Sequence, residues 1–252
     1  MNLPVVLFLT NSGDATSDYL SAKLHEAGIN TYRLDTDIAC CDATFLYREC
    51  VPVLKCNNRT LCSQHILSVI YRRPKEINVS GDILDATTRR HTAGEWSEAI
   101  EGFLAHVDEH KWINHPSCNY MASHKVEQLT RARMYGLRVP ESVVTNDHNI
   151  AEEFVHSQSE GVIVKPLASG FIEREKEDGD TIIYTSEFHQ SDIHFLDDLS
   201  TCPVIFQQKI RKVLDVRMTV VDDKAIAVGL RGVDTGGNQR LDIRRDNMND
   251  VY

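Results

Sequence analysis

The N-terminal pattern of apolar and polar residues constrains the fold more than any other feature of the sequence. Val5–Thr10 is a short apolar run of the kind that forms a buried strand. Residues 11–14 have the composition of a turn, Ser17 is predicted to cap a helix, and Gly28 to end it. Asn30–Leu34 is predicted to be a second strand. A strand, a helix and a strand joined by short links form a parallel pair with a right-handed crossover, so we expect an α/β fold that begins with a parallel sheet.

The rest of the chain continues as a mixture of strands and helices. Further strands are predicted at Ala43–Tyr47, Pro52–Lys55, Ser68–Arg72, Ser142–Thr145, Gly161–Lys165, Thr181–Thr185, Val204–Gln207, Asp215–Val221 and Ala225–Leu230, and further helices at 83–109, Ser123–Tyr135 and Ile150–Ser157. The composition shifts near residues 115 and 205. Three parts are therefore predicted, 1–115, 116–205 and 206–252.

Charge and hydropathy exclude several classes of function. The 252 residues carry a formal net charge of −10, whereas proteins that bind nucleic acid need basic surface for the phosphates. No apolar run reaches the ~20 residues of a membrane-spanning helix, and the N-terminus lacks the basic region and cleavage site of a signal peptide. Seven cysteines without C-x-x-C spacing are typical of reduced thiols. We expect a cytoplasmic protein with neither nucleic acid nor membrane as partner. A homodimer is expected only because it is the commonest assembly of soluble proteins.

Three segments carry residues suited to a nucleoside triphosphate, which needs cations for its phosphates. The first is Lys125, near the start of the helix predicted from Ser123. The N–H groups and dipole of a helix N-terminus attract anions, and a lysine there adds a point charge. Considered alone, Lys125 is more simply a solvated surface lysine.

The second segment contains Lys165, at the end of the apolar run Gly161–Lys165. An unpaired ammonium is costly to bury, so the head of this side chain must reach a partner or water. The residues from Pro166 to Gly170 form a loop that could close over phosphates. The alternative is a lysine that buries its stem while its charge reaches solvent at the strand end.

The third segment is the strand Val204–Gln207 with the linker and hairpin that follow it. The backbone of the linker residues Gln207, Gln208, Lys209 and Ile210 could pair with an adenine ring. Asp215 could accept hydrogen bonds from ribose hydroxyls, and Arg217 could face a phosphate or a substrate carboxylate. The alternative for Asp215 and Arg217 is a salt-bridge pair on a surface strand.

In their order along the chain, these three segments resemble the ATP-grasp fold. The two lysines lie 40 positions apart, and the linker and the Asp-x-Arg sequence follow at a similar distance. The resemblance implies two α+β subdomains that hold ATP between antiparallel sheets, with Lys125 and Lys165 on the phosphates. It also implies an adenine linker at Gln207–Ile210, where relatives often carry an acidic residue, and a ribose-side or hinge carboxylate at Asp215.

The first part of the chain resembles the pre-ATP-grasp domain of the ligases that mature microviridin-type (graspetide) ribosomal peptides. These ligases are similar to the RimK-type enzymes that add glutamate to a ribosomal protein. The segments that carry the resemblance are 7–14, 32–37, 69–74, 112–116 and 136–140. The resemblance implies that Arg217 and one of Arg244 or Arg245 line the reaction centre. Arg72 and Arg73 then either bind substrate or leader peptide, or are structural.

Magnesium ligands are the part of this resemblance that the sequence does not supply. ATP-grasp ligases hold one or two magnesium ions with an acidic residue and a late Glu-x-Asn, and no Glu-x-Asn follows Arg217. The late carboxylates Asp242, Asp246 and Asp250 have a spacing that suits a helix face or a tail. The expected cofactors are therefore ATP and Mg²⁺ with no metal ligand assigned, and the C-terminal part of the split ATP-grasp fold is expected to be incomplete.

The sequence thus predicts an ATP-dependent ligase that phosphorylates a side-chain carboxylate of a peptide, joins it to an amine or hydroxyl, and releases ADP. The partners expected are ATP and a peptide or protein with acidic side chains. The rival prediction is a catalytically inactive binding module that recognises a peptide or partner protein through its first domain. A dehydrogenase is excluded because the turn at 11–15 lacks the G-x-G-x-x-G that approaches a pyrophosphate.

Overall fold

The computed structural model describes residues 3–38, 43–48, 51–56, 59–79, 83, 85–168, 170–172, 181–232 and 240–243. The chain divides into two compact units, 1–122 and 123–252. The assignment of 1–115 as a separate domain, and the further division near 205, stay predictions.

The N-terminal unit contains a parallel sheet and a smaller antiparallel one. Its elements are β1 (Val5–Thr10), α1 (Ala15–Glu26), β2 (Asn30–Asp35), β3 (Thr44–Arg48), β4 (Val51–Cys56), β5 (Arg59–Cys62), β6 (Ile66–Tyr71), α2 (Ala86–Leu104), β7 (Trp112–Ile113) and α3 (Pro116–Ser123). The larger sheet has the strand order β2-β1-β6-β7, and all of its pairings are parallel. The smaller sheet has the order β3-β4-β5 and is antiparallel. The parallel sheet expected from the first two strands is confirmed.

The start of α1 differs from the prediction. Asp14, not Ser17, is the N-cap, and its carboxylate accepts from the backbone N–H of Thr16. Ser17 is fully buried and donates its hydroxyl to Asp14 at 2.6 Å. Two oxygen-bearing residues three positions apart can both cap a helix in principle, so the pattern alone could not choose between them. Gly28 follows the helix with a φ of +77°, as expected for a glycine after a helix end.

One stripe of α2 is part of the core of the N-terminal unit. Ile100, Phe103 and Leu104 are buried in one cluster with the fully enclosed Leu7 of β1, Val69 of β6 and Leu54 of β4. The spacing i, i+3, i+4 places these three side chains on one face of the helix. Burial of this apolar surface is what holds the helix against the strands.

The C-terminal unit contains a four-stranded antiparallel sheet and a hairpin. Its elements are α4 (Lys125–Met134), β8 (Ser142–Thr145), α5 (His148–Ser157), β9 (Val162–Lys165), β10 (Phe171–Ile172), β11 (Thr181–Ile182), β12 (Ser186–Phe188), a 3₁₀ segment (Gln190–Thr201), β13 (Val204–Gln208), β14 (Asp215–Val221) and β15 (Lys224–Leu230). The sheet has the order β12-β9-β13-β8. β14 and β15 form the hairpin predicted around Asp222, whose φ is +55°.

Two predictions about the C-terminal unit were wrong. Ser123 ends α3, and α4 begins at Lys125 with His124 as its N-cap. Of the predicted strand Thr181–Thr185, only Thr181–Ile182 is a strand, β11, and the next strand, β12, begins at Ser186. Among the described residues, no helix is both long and apolar enough to cross a bilayer.

Candidate functional site

The antiparallel sheet of the C-terminal unit has two chemically different faces. On one face Phe206, Val143 and Val164 lie in register and pack against α5 and the 3₁₀ segment. Because strand side chains alternate, the residues between them point to the other face. That second face, which we call the lysine face, carries Lys165 and the residues Ser142, Val144, Ile163, Glu187, Ile205 and Gln207.

Lys165 is held on the lysine face by a chain of hydrogen bonds. Its Nζ donates to Oε1 of Gln207 at 2.8 Å. Nε2 of the same amide donates to Oγ of Ser142 at 2.8 Å, and Ser142 donates to the carbonyl of Pro140. The amide is therefore oriented with its oxygen towards the ammonium, because its nitrogen is committed to Ser142. An ion pair would neutralise the charge of Lys165, whereas the neutral amide leaves that charge available to an anion.

Lys125 reaches the loop that follows β9. It is the first residue of α4, and its Nζ donates to the carbonyls of Leu167 and Ala168. The N-terminus of α4 adds the partial positive charge of the helix dipole at this end. Lys125 thus brings positive charge to the loop that starts next to Lys165.

The two lysines lie within electrostatic range of each other. The pKa of Lys165 is lowered from its usual value, first by burial of the ammonium and then by the charge of Lys125. Repulsion between two cations is relieved when an anion binds between or beside them. Lys125 and Lys165 thus interact electrostatically within one compact unit, and their common role on a polyanion stays a prediction.

An apolar cavity of about 530 Å³ lies between α4 and the lysine face. Val126, Leu129 and Met134 line it from the helix, and Val144 and Ile205 line it from the sheet. Ile205 is the register partner of Lys165 in the next strand, so the cavity adjoins the lysine. An apolar space of this size beside converging cations suits a flat ring joined to a polyanion.

The linker after β13 is less available than expected. The backbone N–H of Gln208 donates to Glu141, and that of Lys209 donates to Gly161, both at 2.9 Å. The Lys209 ammonium pairs with Glu187 at 2.6 Å. The side chain of Gln207 faces Lys165, and Ile210 is exposed. A role of residues 207–210 in binding adenine stays a prediction.

The hairpin residues predicted for the site have ordinary local partners or are exposed. Asp215 pairs with Lys212 at 2.7 Å, and Lys212 also donates to the carbonyl of Leu241. Arg217 is exposed on β14, two residues further along the same face. No described contact joins Arg217 to the lysines.

The late residues of the prediction are only partly described. Arg244 and Arg245 lie outside the described residues, as do Asp246 and Asp250. Asp242 is buried and accepts from the backbone N–H of Thr185 at 3.1 Å, so it has a structural contact. Within the described residues, no group of three histidine, cysteine or acidic side chains is arranged to hold a metal ion. We assign no magnesium ligand and derive no step through a metal.

Arg72 and Arg73 of the N-terminal unit have different environments. Arg72 pairs with the buried carboxylate of Asp14 at 3.1 Å and donates to Thr16, so it ties the end of β6 to the start of α1. Arg73 is exposed, and its φ of +49° places it in the left-handed region that non-glycine residues rarely occupy. Its carbonyl is held by Nδ2 of Asn11 at 2.7 Å. The structural alternative fits Arg72, and a role in binding stays a prediction for Arg73.

Two residues near the lysines were not singled out from the sequence. Ser142 fixes the orientation of the Gln207 amide, and Glu187 pairs with Lys209. Only the pairing of β8 and β12 with the central strands reveals these contacts. A serine at a strand start and a glutamate in a short strand give no local signal of their own.

Comparison with known protein families identifies the N-terminal unit. Residues 5–119 match the family model described as the MvdD pre-ATP-grasp domain. The N-terminal unit is therefore similar to an MvdD-type pre-ATP-grasp domain, and we refer to it by that name. The parallel sheet and the motifs at the ends of β1 and β6 belong to this domain. No curated protein sequence matches the chain.

The chain as a whole shares its fold with two solved macrocyclases and with a solved ATP-grasp ligase. The chain is similar to the macrocyclase MdnC from Microcystis aeruginosa MRC, solved with the precursor peptide MdnA, at a TM-score of 0.79 and 26% identity over 89% of this chain and 74% of that one. It is similar to the macrocyclase MdnB from the same organism, at a TM-score of 0.73 and 28% identity over 94% and 77%. It also shares the fold of the ATP-grasp ligase PsnB, solved with a minimal precursor, Mg and ADP, at a TM-score of 0.70 and 23% identity over 95% and 75%.

Proposed function

We propose that this chain belongs to an ATP-dependent ligase that modifies a peptide at a side-chain carboxylate. The observation that supports the proposal most strongly is the convergence of Lys125 and Lys165 beside an apolar cavity. A half-buried ammonium that is held by a neutral amide and repelled by a second ammonium is suited to a polyanion. The similarity to the macrocyclase MdnC, whose structure contains the precursor peptide MdnA, supports a peptide as the second substrate.

In the proposed reaction, an oxygen of the peptide carboxylate attacks the γ-phosphorus of ATP and ADP leaves. An amine or hydroxyl then attacks the acyl phosphate, and inorganic phosphate leaves as an amide or ester forms and one proton is released. Lys125 and Lys165 would offset the negative charge on the phosphate oxygens as the phosphoryl group moves. The apolar cavity lined by Leu129 and Ile205 would hold the adenosine part of ATP.

Arg217 and one of Arg244 or Arg245 are proposed to face the carboxylate and the transferred phosphoryl group. Planar guanidinium groups suit both anions, because each can donate two parallel hydrogen bonds. Asp215 is proposed as the carboxylate next to the ribose, which would require it to exchange its contact with Lys212. Mg²⁺ is expected from the family resemblance alone.

A titration with ATP, in the presence and absence of magnesium, tests the nucleotide site. The Lys165→Met variant is expected to lose most of the affinity, whereas Lys224→Met, which removes an exposed lysine from the start of β15, is expected to retain it. Equal affinity of both variants would contradict the proposal. ADP release in the presence of acidic peptides then tests the reaction. Peptide binding without ADP release would favour the alternative of a non-catalytic binding module.

A further inference from the structure

The pre-ATP-grasp domain contains a groove of about 720 Å³ that has no part in the proposed nucleotide site. One wall is a face of α2 that includes Ile100, Glu101 and Leu104. The opposite wall is formed by the segment 74–77 that follows β6. Its volume lies within the range of sites that bind small molecules or peptide segments.

The floor of the groove is apolar and held in place. Ile100 and Leu104 are buried in the core, and the partly exposed Tyr71, Ile77 and Trp112 pack on that core. The indole N–H of Trp112 donates to the carbonyl of Val107 at 3.2 Å, which fixes the ring. An apolar side chain could therefore enter without rearrangement of the floor.

The rim of the groove is acidic. Glu76, Glu101 and Glu109 line it and are all exposed. Lys75 also lines the groove, but the carboxylate of Asp37 lies close enough to offset part of its positive charge. The same interaction lowers the pKa of Asp37. The rim thus carries an excess of negative charge next to an apolar floor, which is complementary to a ligand that has an apolar and a cationic part.

The groove is long enough for several residues of an extended chain. Its lining on α2 and on the residue that caps this helix runs from Ser97 to Ala105, a distance of about 12 Å at the helical rise of ~1.5 Å per residue. An extended chain covers ~3.3 Å per residue, so roughly three to four residues would span the groove. This length favours a peptide segment over a single free amine.

We propose that this groove binds a short peptide segment in which an aromatic or aliphatic side chain lies next to a lysine or arginine. The apolar side chain packs on Ile77 and Trp112, and the cation reaches Glu76 or Glu101. The identification of this peptide as the substrate rests on the proposed function, whereas the binding itself does not. The groove would then hold a segment of the substrate peptide that is not involved in the phosphoryl transfer.

Fluorescence anisotropy with labelled hexapeptides and the full chain, without nucleotide, tests the proposal. One peptide contains phenylalanine next to lysine, and the other contains phenylalanine next to glutamate. The Kd of the lysine peptide is expected to be lower than that of the glutamate peptide by a factor of about ten or more. This difference should shrink as the salt concentration is raised. Equal binding of the two peptides, or a failure of the lysine peptide to saturate, overturns the proposal.

Variants locate the binding on the groove. Glu101→Gln is expected to weaken the lysine peptide by about threefold to tenfold, since one partly screened charge pair is lost. Glu98→Gln makes the same change on the same helix outside the groove and is expected to have no effect. Equal effects of the two variants contradict the assignment. An ATP titration of Glu101→Gln is expected to match that of the unmodified chain, so failure of the groove and failure of the nucleotide site can be distinguished.

Discussion

The ammonium of Lys165 rests on the side-chain oxygen of Gln207, at 2.8 Å, in the interior of an antiparallel sheet. Gln207 is only 5% exposed, and its nitrogen is bound to Ser142. A neutral acceptor at this position stabilises the lysine head without cancelling its charge. The relationship explains how a lysine can be partly buried and still attract a polyanion.

Gln207→Leu should therefore destabilise the sheet around Lys165. Both the ammonium and the Ser142 hydroxyl lose a partner in a partly buried site, and each unsatisfied group costs about 1–3 kcal/mol. Hydrogen exchange of the β9 and β13 amides is the appropriate measurement, with faster exchange expected in the variant. Gln208→Leu changes the neighbouring side chain, which points to the other face, and should leave exchange at β9 nearly unchanged.

Gln207→Glu should raise the pKa of Lys165, because an adjacent carboxylate favours the charged form of the ammonium. The same carboxylate should repel the phosphates and weaken ATP binding. Both effects can be followed on one sample, by the pH dependence of amine labelling at Lys165 and by an ATP titration. Tighter ATP binding in this variant would show that the phosphates do not approach Lys165. Gln208→Glu is the control for an added charge in the same strand.

Removal of Lys125 should also raise the pKa of Lys165. Burial is the larger cause of the lowered pKa and is unchanged by the substitution, whereas repulsion by Lys125 is lost. Amine labelling of Lys165 in Lys125→Met should therefore become half-maximal at a higher pH than in the unmodified chain. Lys224→Met should leave the labelling profile unchanged, and a profile that is the same in all three proteins would show that the two ammonium groups do not interact.

The strands and the two lysines could be predicted because their signals are local. β1 has the bounds Val5–Thr10 that its apolar run indicates, and β8 has the bounds Ser142–Thr145. Lys165 at the end of an apolar strand is unusual enough to be noticed without a structure. Helix starts were harder, since Asp14 and Ser17 are both good caps and only one of them can have the required backbone conformation.

The partners of the lysines could not be predicted because they come from strand pairing across the sheet. The sequence placed Gln207 in the adenine linker, but it did not show that Gln207 lies in register with Ser142 and hydrogen-bonds Lys165. It also did not show that the side chain of Lys209 pairs with Glu187. Register depends on the fit of whole strands, and a single sequence does not show which residues will lie opposite each other.

ATP binding should be accompanied by proton uptake at alkaline pH. The lowered pKa of Lys165 means that part of the lysine is neutral there, and a bound polyanion restores the ammonium. Calorimetric titrations at about pH 9 in two buffers of different ionisation enthalpy measure the number of protons taken up, which should be larger than at about pH 7. Lys165→Arg keeps the positive charge but does not titrate in this range. ATP binding to this variant should therefore be accompanied by less proton uptake. Equal uptake in the two proteins would assign the proton to another group.

Asp14 should contribute stability to the pre-ATP-grasp domain that is lost in acid. Burial alone would raise its pKa, but hydrogen bonds from Ser17 and Thr10 and the charge of Arg72 together lower the pKa below 3.8. Because the folded pKa lies below the unfolded one, the contribution is fully present above about pH 4 and falls as the pH drops through the folded pKa.

Asp14→Asn should lower the free energy of unfolding at neutral pH by about 2–4 kcal/mol, because Arg72 loses its buried carboxylate partner and keeps only its hydrogen bond to Thr16. Urea unfolding monitored by the fluorescence of Trp96 and Trp112, both in this domain, measures the change. Asp18→Asn removes an exposed carboxylate from the same helix, where Arg33 retains Asp35 as a partner, and should cost less than about 1 kcal/mol. The difference between Asp14→Asn and the unmodified domain should shrink as the pH falls from about 4 towards 2, since protonation of Asp14 removes the same charge. A difference that is constant across this range would mean that the loss comes from altered packing of the amide and not from the missing charge.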